Sequence, residues 1–375
     1  LLAKTPSDIS LAPTLSPMSS SDPNNEVDMN LPTKCQNNTG RLQELTIQGC
    51  LLDETSLDSL CRLLRNATQS SLEQVTMIHN DWPINAGSKV ASSLLHHTQI
   101  KSLDFTGLNA EYSTIQGIGQ LIKTSSSLQK LNLSQCPQVI DVRPLADGLI
   151  GSKLLELDLS NNRLIHMDEL GRVLEENANL YTLDLSETSI PSDDNDATNE
   201  SFNKYSSVFL DKLGHARGLK VLIFNEVELC TETMNELAQS LRINTSLEAL
   251  HLNTIGGSVS WKAIFESLHD NTTLKTLQIG QNRFQKEDMA SLVDALCVNR
   301  SLRSLKLSRC ELTDDHLIML GARLSDMQGG LEDLDLCFNS FGAEGVMKLW
   351  QGLLSNHHLQ NISLFNRACS IGGPD

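Results

Sequence analysis

Asp158 and Asp184 stand 26 residues apart in the strings LDLSNN and LDLSET, each in the slot after the second leucine frame position. Asp104 fills the same slot further upstream. Carboxylates set side by side repel unless a cation neutralises them, so the spacing points to a surface that receives positive charge. Glu156, Glu187 and Glu226 add acids at neighbouring positions, and Leu155, Tyr181, Val221 and Ile223 are expected to face outward beside them. An apolar centre with an acidic surround suits a protein-binding hot spot. The expected partner is a protein with a basic surface or segment, and no cofactor is implied.

Other chemistry finds little support in the residues. The sequence holds no Walker loop, no Gly-x-Gly-x-x-Gly, no Gly-x-Ser-x-Gly and no His-Glu-x-x-His. The pairs His96-His97 and His357-His358 fall near expected helix ends, where a histidine favours the negative end of the dipole. Nine cysteines form neither a CxxC nor a Cys/His cluster of zinc spacing. Three of them, Cys50, Cys136 and Cys310, share a slot with Asn162, Asn282 and Asn339, which predicts buried thiols bonding a turn and an intracellular, reducing (cytoplasmic) location. A formal charge of −17 argues against nucleic acid or an anionic membrane as partner. No apolar run approaches the roughly 18–20 residues that cross a bilayer, so membrane insertion is not expected.

What must position these groups is a repeat. A frame of Leu, Leu three on, then an apolar residue two further begins at Leu42, Leu72, Ile100, Leu128, Leu154, Leu180, Leu219, Leu247, Leu274, Leu302, Leu331 and Leu359, a period of about 28 residues. Within each unit, as in LEDLDL followed by AEGVMKLWQGLL, alternation gives way to helical spacing, so each unit is a strand and a helix. Parallel strands need such a crossover. Strands lie about 4.8 Å apart and helices about 8–10 Å, which predicts an α/β solenoid with the parallel sheet on a concave face and helices on the convex one. Leucines fill the core, and the charged residues between them are left free. Lys275, Arg303, Lys306 and Arg309 abut Glu248, Glu332 and Asp335, and are expected to pair with them, whereas no structural partner is evident for Asp158 and Asp184.

Three departures qualify the repeat. Residues 1–40, rich in Ser, Pro, Asp and Asn, read as a flexible tail whose Val27, Met29 and Leu31 are placed to cap the first unit. The long spacing from Leu180 to Leu219 predicts an acidic loop at 191–201 and a helix from near Phe202. LSQCPQVIDVRPL carries prolines where a regular helix would begin. The solenoid is expected over 41–369, with a short tail at 370–375. Sequons at Asn66, Asn244, Asn271 and Asn299 precede repeat starts, where Asn closes a helix with positive φ and bonds nearby backbone.

The string LDLCFNSFGAEGVMKLWQGLLSNHHL, with LDLSNNRL and LKLSRCELTDDHLIMLGARL, resembles the ribonuclease-inhibitor-like class of leucine-rich repeat, about twelve repeats of a horseshoe. The type also occurs in NOD-like receptors and in the Ran GTPase-activating protein. The resemblance implies a non-catalytic interaction or scaffold module binding a protein on its concave face. The alternatives it leaves are a GTPase activator of the Ran-activator type, for which Arg143 and Arg163 lie on expected loops, and the sensor region of a larger NOD-like protein.

Overall fold

The structure, a computed structural model, describes residues 42–66, 72–83, 85–189, 200–256, 259–327 and 329–365, excepting the side chains of 200–206. All of them belong to one compact unit, residues 41–375. The tails expected at 1–40 and 370–375 lie outside the described residues, as does 191–199 of the expected loop.

Each repeat start yields a strand. Twelve parallel strands form one sheet: β1 (Glu44–Gln48), β2 (Gln74–Ile78), β3 (Ser102–Asp104), β4 (Lys130–Asn132), β6 (Glu156–Asp158), β8 (Thr182–Asp184), β9 (Val221–Ile223), β10 (Ala249–His251), β11 (Thr276–Gln278), β12 (Ser304–Lys306), β13 (Asp333–Asp335) and β14 (Asn361–Ser363). The register sets leucine against leucine, with Leu157 opposite Leu183, Leu183 opposite Leu222 and Leu222 opposite Leu250. These four are buried, whereas the residues on either side in each strand are half-buried. One sheet face therefore packs the core and the other is left open.

Helices return the chain from each strand to the next. In α7 (Thr231–Ile243) the buried Met234, Leu237, Ala238 and Leu241 recur at i, i+3, i+4 and i+7, an apolar stripe laid on the leucines. Two helices approach closely, α3 (Tyr112–Thr124) and α4 (Arg143–Leu149). A Cβ on Gly119 or Gly148 would strike backbone of the facing helix, so these glycines are required by contact. Helix α6 (Glu200–Gly214) begins two residues before Phe202, so Glu200 and Ser201 are helical and not part of a loop.

The prolines of LSQCPQVIDVRPL flank an extra strand and leave the repeat continuous. Val139–Asp141 forms β5, which pairs in parallel with β7 (Arg163–Ile165) in a separate two-stranded sheet. Pro144 sits in the first turn of α4, where its missing N–H would have no intrahelical partner in any case.

Buried asparagines join one unit to the next. Asn339 Oδ1 accepts the N–H groups of Cys310 and Leu312 at 2.8 and 3.1 Å, and its Nδ2 donates to the carbonyls of Leu307 and Leu336 at 2.9 and 2.8 Å. Asn162 does the same for Cys136, Leu133 and Leu159. Thiols take the same slot in two other units, as expected. Cys136 and Cys310 are buried and bond the carbonyls of Leu133 and Ile279, and burial pushes both thiols up to about 12. Cys50 differs from expectation: near the sheet's first strand, it is exposed.

A second ladder runs at the helix C-termini. Asn244 and Asn299 are buried; each donates to a carbonyl in the preceding repeat, Leu213 and Leu268, and accepts N–H groups two and three residues on. Their backbones correct the sequence reading, since φ is −66° at both, extended and not left-handed. Bonding, not positive φ, selects asparagine there.

The ladder yields a test. Asn339→Ala leaves buried donors and acceptors unpaired at about 1–3 kcal/mol each, so urea unfolding should show a loss of roughly 3 kcal/mol or more, and Cys310→Ala less than half of that. Equal losses would show that the asparagine does not tie the repeats.

Candidate functional site: the open face of the sheet

The open face presents one residue per strand after the buried leucine. Asp104, Asn132, Asp158, Asp184 and Ile223 are successive ladder partners on β3, β4, β6, β8 and β9. They line a groove of ≈ 270 Å³ together with Lys130, Glu156 and Thr182. The two aspartates expected to meet are thus directly paired across adjacent strands.

Apolar residues flank them as predicted. Tyr181 is 49% and Leu155 38% exposed. They are tied together, because the Tyr181 N–H donates to the Leu155 carbonyl at 2.8 Å, and Val221 donates to the Tyr181 carbonyl at 3.0 Å. Val221 and Ile223 are half-buried on β9.

The electrostatics are uneven. Among the described residues neither Asp158 nor Asp184 has an ion-pair partner. Burial raises the Asp184 carboxyl above its ordinary 3.8, and the Asp158 charge adds to the rise, while hydrogen bonds from Ser186 pull the other way.

Those last bonds correct the sequence reading. A structural role does exist for the aspartates: each Oδ1 accepts the backbone N–H two residues on, Asp158 from Ser160 and Asp184 from Ser186, both at 2.9 Å. Asp104 closes onto Thr106, Asn132 onto Ser134 and Asp335 onto Cys337 in the same way. Such closure explains an Asx residue at the slot. Asn132 achieves it without charge, so the paired charge of Asp158 and Asp184 is what remains unexplained.

Three other predicted acids behave differently. Glu156 faces the groove but is paired with Lys130 at 2.8 Å, a cross-strand partner the sequence reading overlooked. Glu187 and Glu226 lie beyond the strands in left-handed backbone, φ 54° and 56°, in a turn at the sheet's edge. Glu187 accepts a hydrogen bond from Asn161 Nδ2 at 2.9 Å. The candidate site therefore contracts to Asp104, Leu155, Asp158, Tyr181, Asp184, Val221 and Ile223.

The basic group pairs in part as expected. Lys275 meets Glu248 at 2.5 Å and Arg303 meets Glu332 at 3.3 Å, whereas Arg309 lies over the Phe338 ring at 4.9 Å. Elsewhere, His97 is buried with Nε2 2.7 Å from the Leu64 carbonyl near the end of the first helix. Arg143 is clamped to Asp141 and opens α4, and Arg163 lies in β7. Among the described residues, no three His, Cys, Asp or Glu are grouped to hold a metal ion, and no helix is long and apolar enough to cross a membrane.

Comparison with known proteins adds relatives. The pattern described as Leucine Rich repeat matches residues 270–293 and 298–321. The mouse (Mus musculus) protein named Ribonuclease inhibitor is 27% identical over 351 residues, covering 90% of this chain and 73% of that protein. The human (Homo sapiens) NACHT, LRR and PYD domains-containing protein 13 is 24% identical over 295 residues, covering 76% of this chain but only 24% of its own length. Among solved structures, a chain of the yeast Rad7–Elc1 complex superposes with a TM-score of 0.49 at 18% identity, covering 84% of this chain and 76% of that one. An internalin of Listeria monocytogenes gives 0.47 at 14% identity, covering 86% of both chains. Twelve strands in leucine register and the matched repeat pattern make the fold a leucine-rich-repeat solenoid, and the relatives show its similarity to the ribonuclease-inhibitor-like class.

Proposed function

We propose that the chain is a non-catalytic protein-binding module of a reducing compartment, and that a basic segment of its partner docks on the open sheet face across β6, β8 and β9. The observation that carries this reading is the Asp158–Asp184 pair, two carboxylates in ladder register with no cation supplied from the described residues. Tyr181 and Leu155 beside them provide the exposed apolar area that an interface centre needs. The mouse relative, whose name makes it an inhibitor of ribonuclease, supports a repeat fold that acts on another protein. Cys136 and Cys310, buried in the asparagine slot, support the location.

The pair gives opposite effects on stability and binding. Because the Asp184 pKa is raised, the folded state holds its proton more tightly than the unfolded chain, so ionisation costs stability above the raised pKa. That cost disappears as the pH falls well below 3.8. Asp184→Asn keeps the Oδ1 acceptor for Ser186 and removes the charge. It should raise stability near pH 7 by about 0.2–1 kcal/mol, a gain of roughly 1–3 °C in Tm, with no gain at pH 3. A lower Tm for Asp184→Asn near neutrality would show that the charge stabilises the fold.

Tyr181→Ala combined with Asp184→Lys should weaken the native partner by at least about 30-fold, the equivalent of one hot-spot contact, with the fold retained by circular dichroism. Affinity capture by wild type, by this variant and by Lys262→Glu on a helix outside the sheet compares the same partner across the three. A partner retained by the double variant as well as by wild type would move the binding surface elsewhere.

A further inference from the structure

A second cavity, of ≈ 520 Å³, opens where the chain enters β9 to β12, at the ends of the helices that precede them. Its lining carries four permanent cations, Lys220, Lys275, Arg300 and Arg303, against one carboxylate, Glu248. In a chain of net charge −17 this is a local reversal of sign.

The pairing inside the cavity leaves positive charge over. Glu248 alone serves two lysines, Lys220 at 3.1 Å and Lys275 at 2.5 Å, which together hold its carboxyl below the ordinary glutamate range. Arg303 is engaged by the Gly330 carbonyl at 2.9 Å and by Glu332 at 3.3 Å. Arg300 is exposed and has no ion-pair partner among the described residues. A different observation points the same way. Ser246, 4% exposed and one of the residues lining the cavity, has a buried Oγ with no hydrogen-bond partner among the described residues, although buried hydroxyls are ordinarily satisfied. The lysines and arginines come from three strand intervals, about 14 Å at the usual strand spacing.

We infer that this cavity binds a small ligand bearing several phosphate groups. Multiply charged oxyanions match cations fixed at the entries of β9, β11 and β12, because arginine and lysine bind phosphate through charge-assisted hydrogen bonds. The hydroxyls of Thr272, Thr273 and Ser301, also in the lining, add neutral donors. The volume falls in the range of small-molecule pockets and is far below that of a protein interface. The inference is independent of the protein-binding reading, since it uses β9–β12 entry residues and not the aspartate groove.

Inorganic tripolyphosphate is the probe, titrated by calorimetry at about 0.15 M salt so that diffuse attraction is screened. Wild type should bind it. Lys275→Ser with Arg300→Ser should weaken binding about tenfold or more, while Lys262→Ser with Lys286→Ser, which removes the same charge outside the cavity, should leave Kd within about twofold. Circular dichroism verifies that each variant is folded. Absence of binding by wild type, or equal weakening in the two double variants, would overturn the site. Tighter binding of a hexaglutamate peptide than of tripolyphosphate would overturn the ligand class.

Discussion

Each repeat must hand its backbone hydrogen bonds to the next, and the rest of the fold follows from that demand. After each strand of the twelve-stranded sheet from β1 to β13 the chain turns through a left-handed residue whose N–H donates to the following unit, as His79 does to Thr106 and Phe338 to Phe365. Glycine fills that position at Gly49 and Gly107, but His79, Gln135, Glu187, Glu226, Gln281 and Arg309 adopt it too. Left-handed backbone costs an ordinary residue roughly 1–2 kcal/mol, so the gain from continuing the ladder outweighs it repeatedly. The leucine register and the buried asparagines are the side-chain half of the same connection.

That demand also governs what the open face can carry. A side chain after the buried leucine is adjacent to its counterpart one strand away whatever its charge, and an Asx residue there closes its own turn. Asp184 therefore does two things at once: its Oδ1 holds the Ser186 N–H, and its charge stands beside Asp158 in a half-buried groove. Asn132, the ladder neighbour of Asp158, closes its turn without charge. The fold needs the acceptor atom and not the ionisation, which is why the proposed contact is centred on the ionised pair.

Much of this was legible in the sequence because the repeat recurs many times and the apolar positions within each frame keep one spacing. All twelve frame starts became strands, and the strand slots placed Asp158 opposite Asp184 and left Tyr181 exposed. The turn closure was missed although its signal is present: Asp104-x-Thr106, Asn132-x-Ser134, Asp158-x-Ser160 and Asp184-x-Ser186 repeat one local motif. The Lys130–Glu156 pair is not visible from the Asx slot, because its partners lie two residues before that slot on neighbouring strands. Asn244 was assigned the wrong backbone because helix-closing asparagines are often left-handed, whereas here the side chain satisfies the preceding helix from an extended residue. Strand β5 was hidden by its neighbouring prolines, as its partner β7 lies in the next repeat.

The central claim is that the protein leaves Asp158 and Asp184 facing each other without a neutralising group. An NMR titration of the Asp184 side-chain carboxyl carbon, in wild type and in Asp158→Asn, tests it most directly. The account predicts a midpoint above the ordinary aspartate value of 3.8 in wild type, moving downward when Asp158 loses its charge. A wild-type midpoint at or below that value, unmoved by Asp158→Asn, would contradict it.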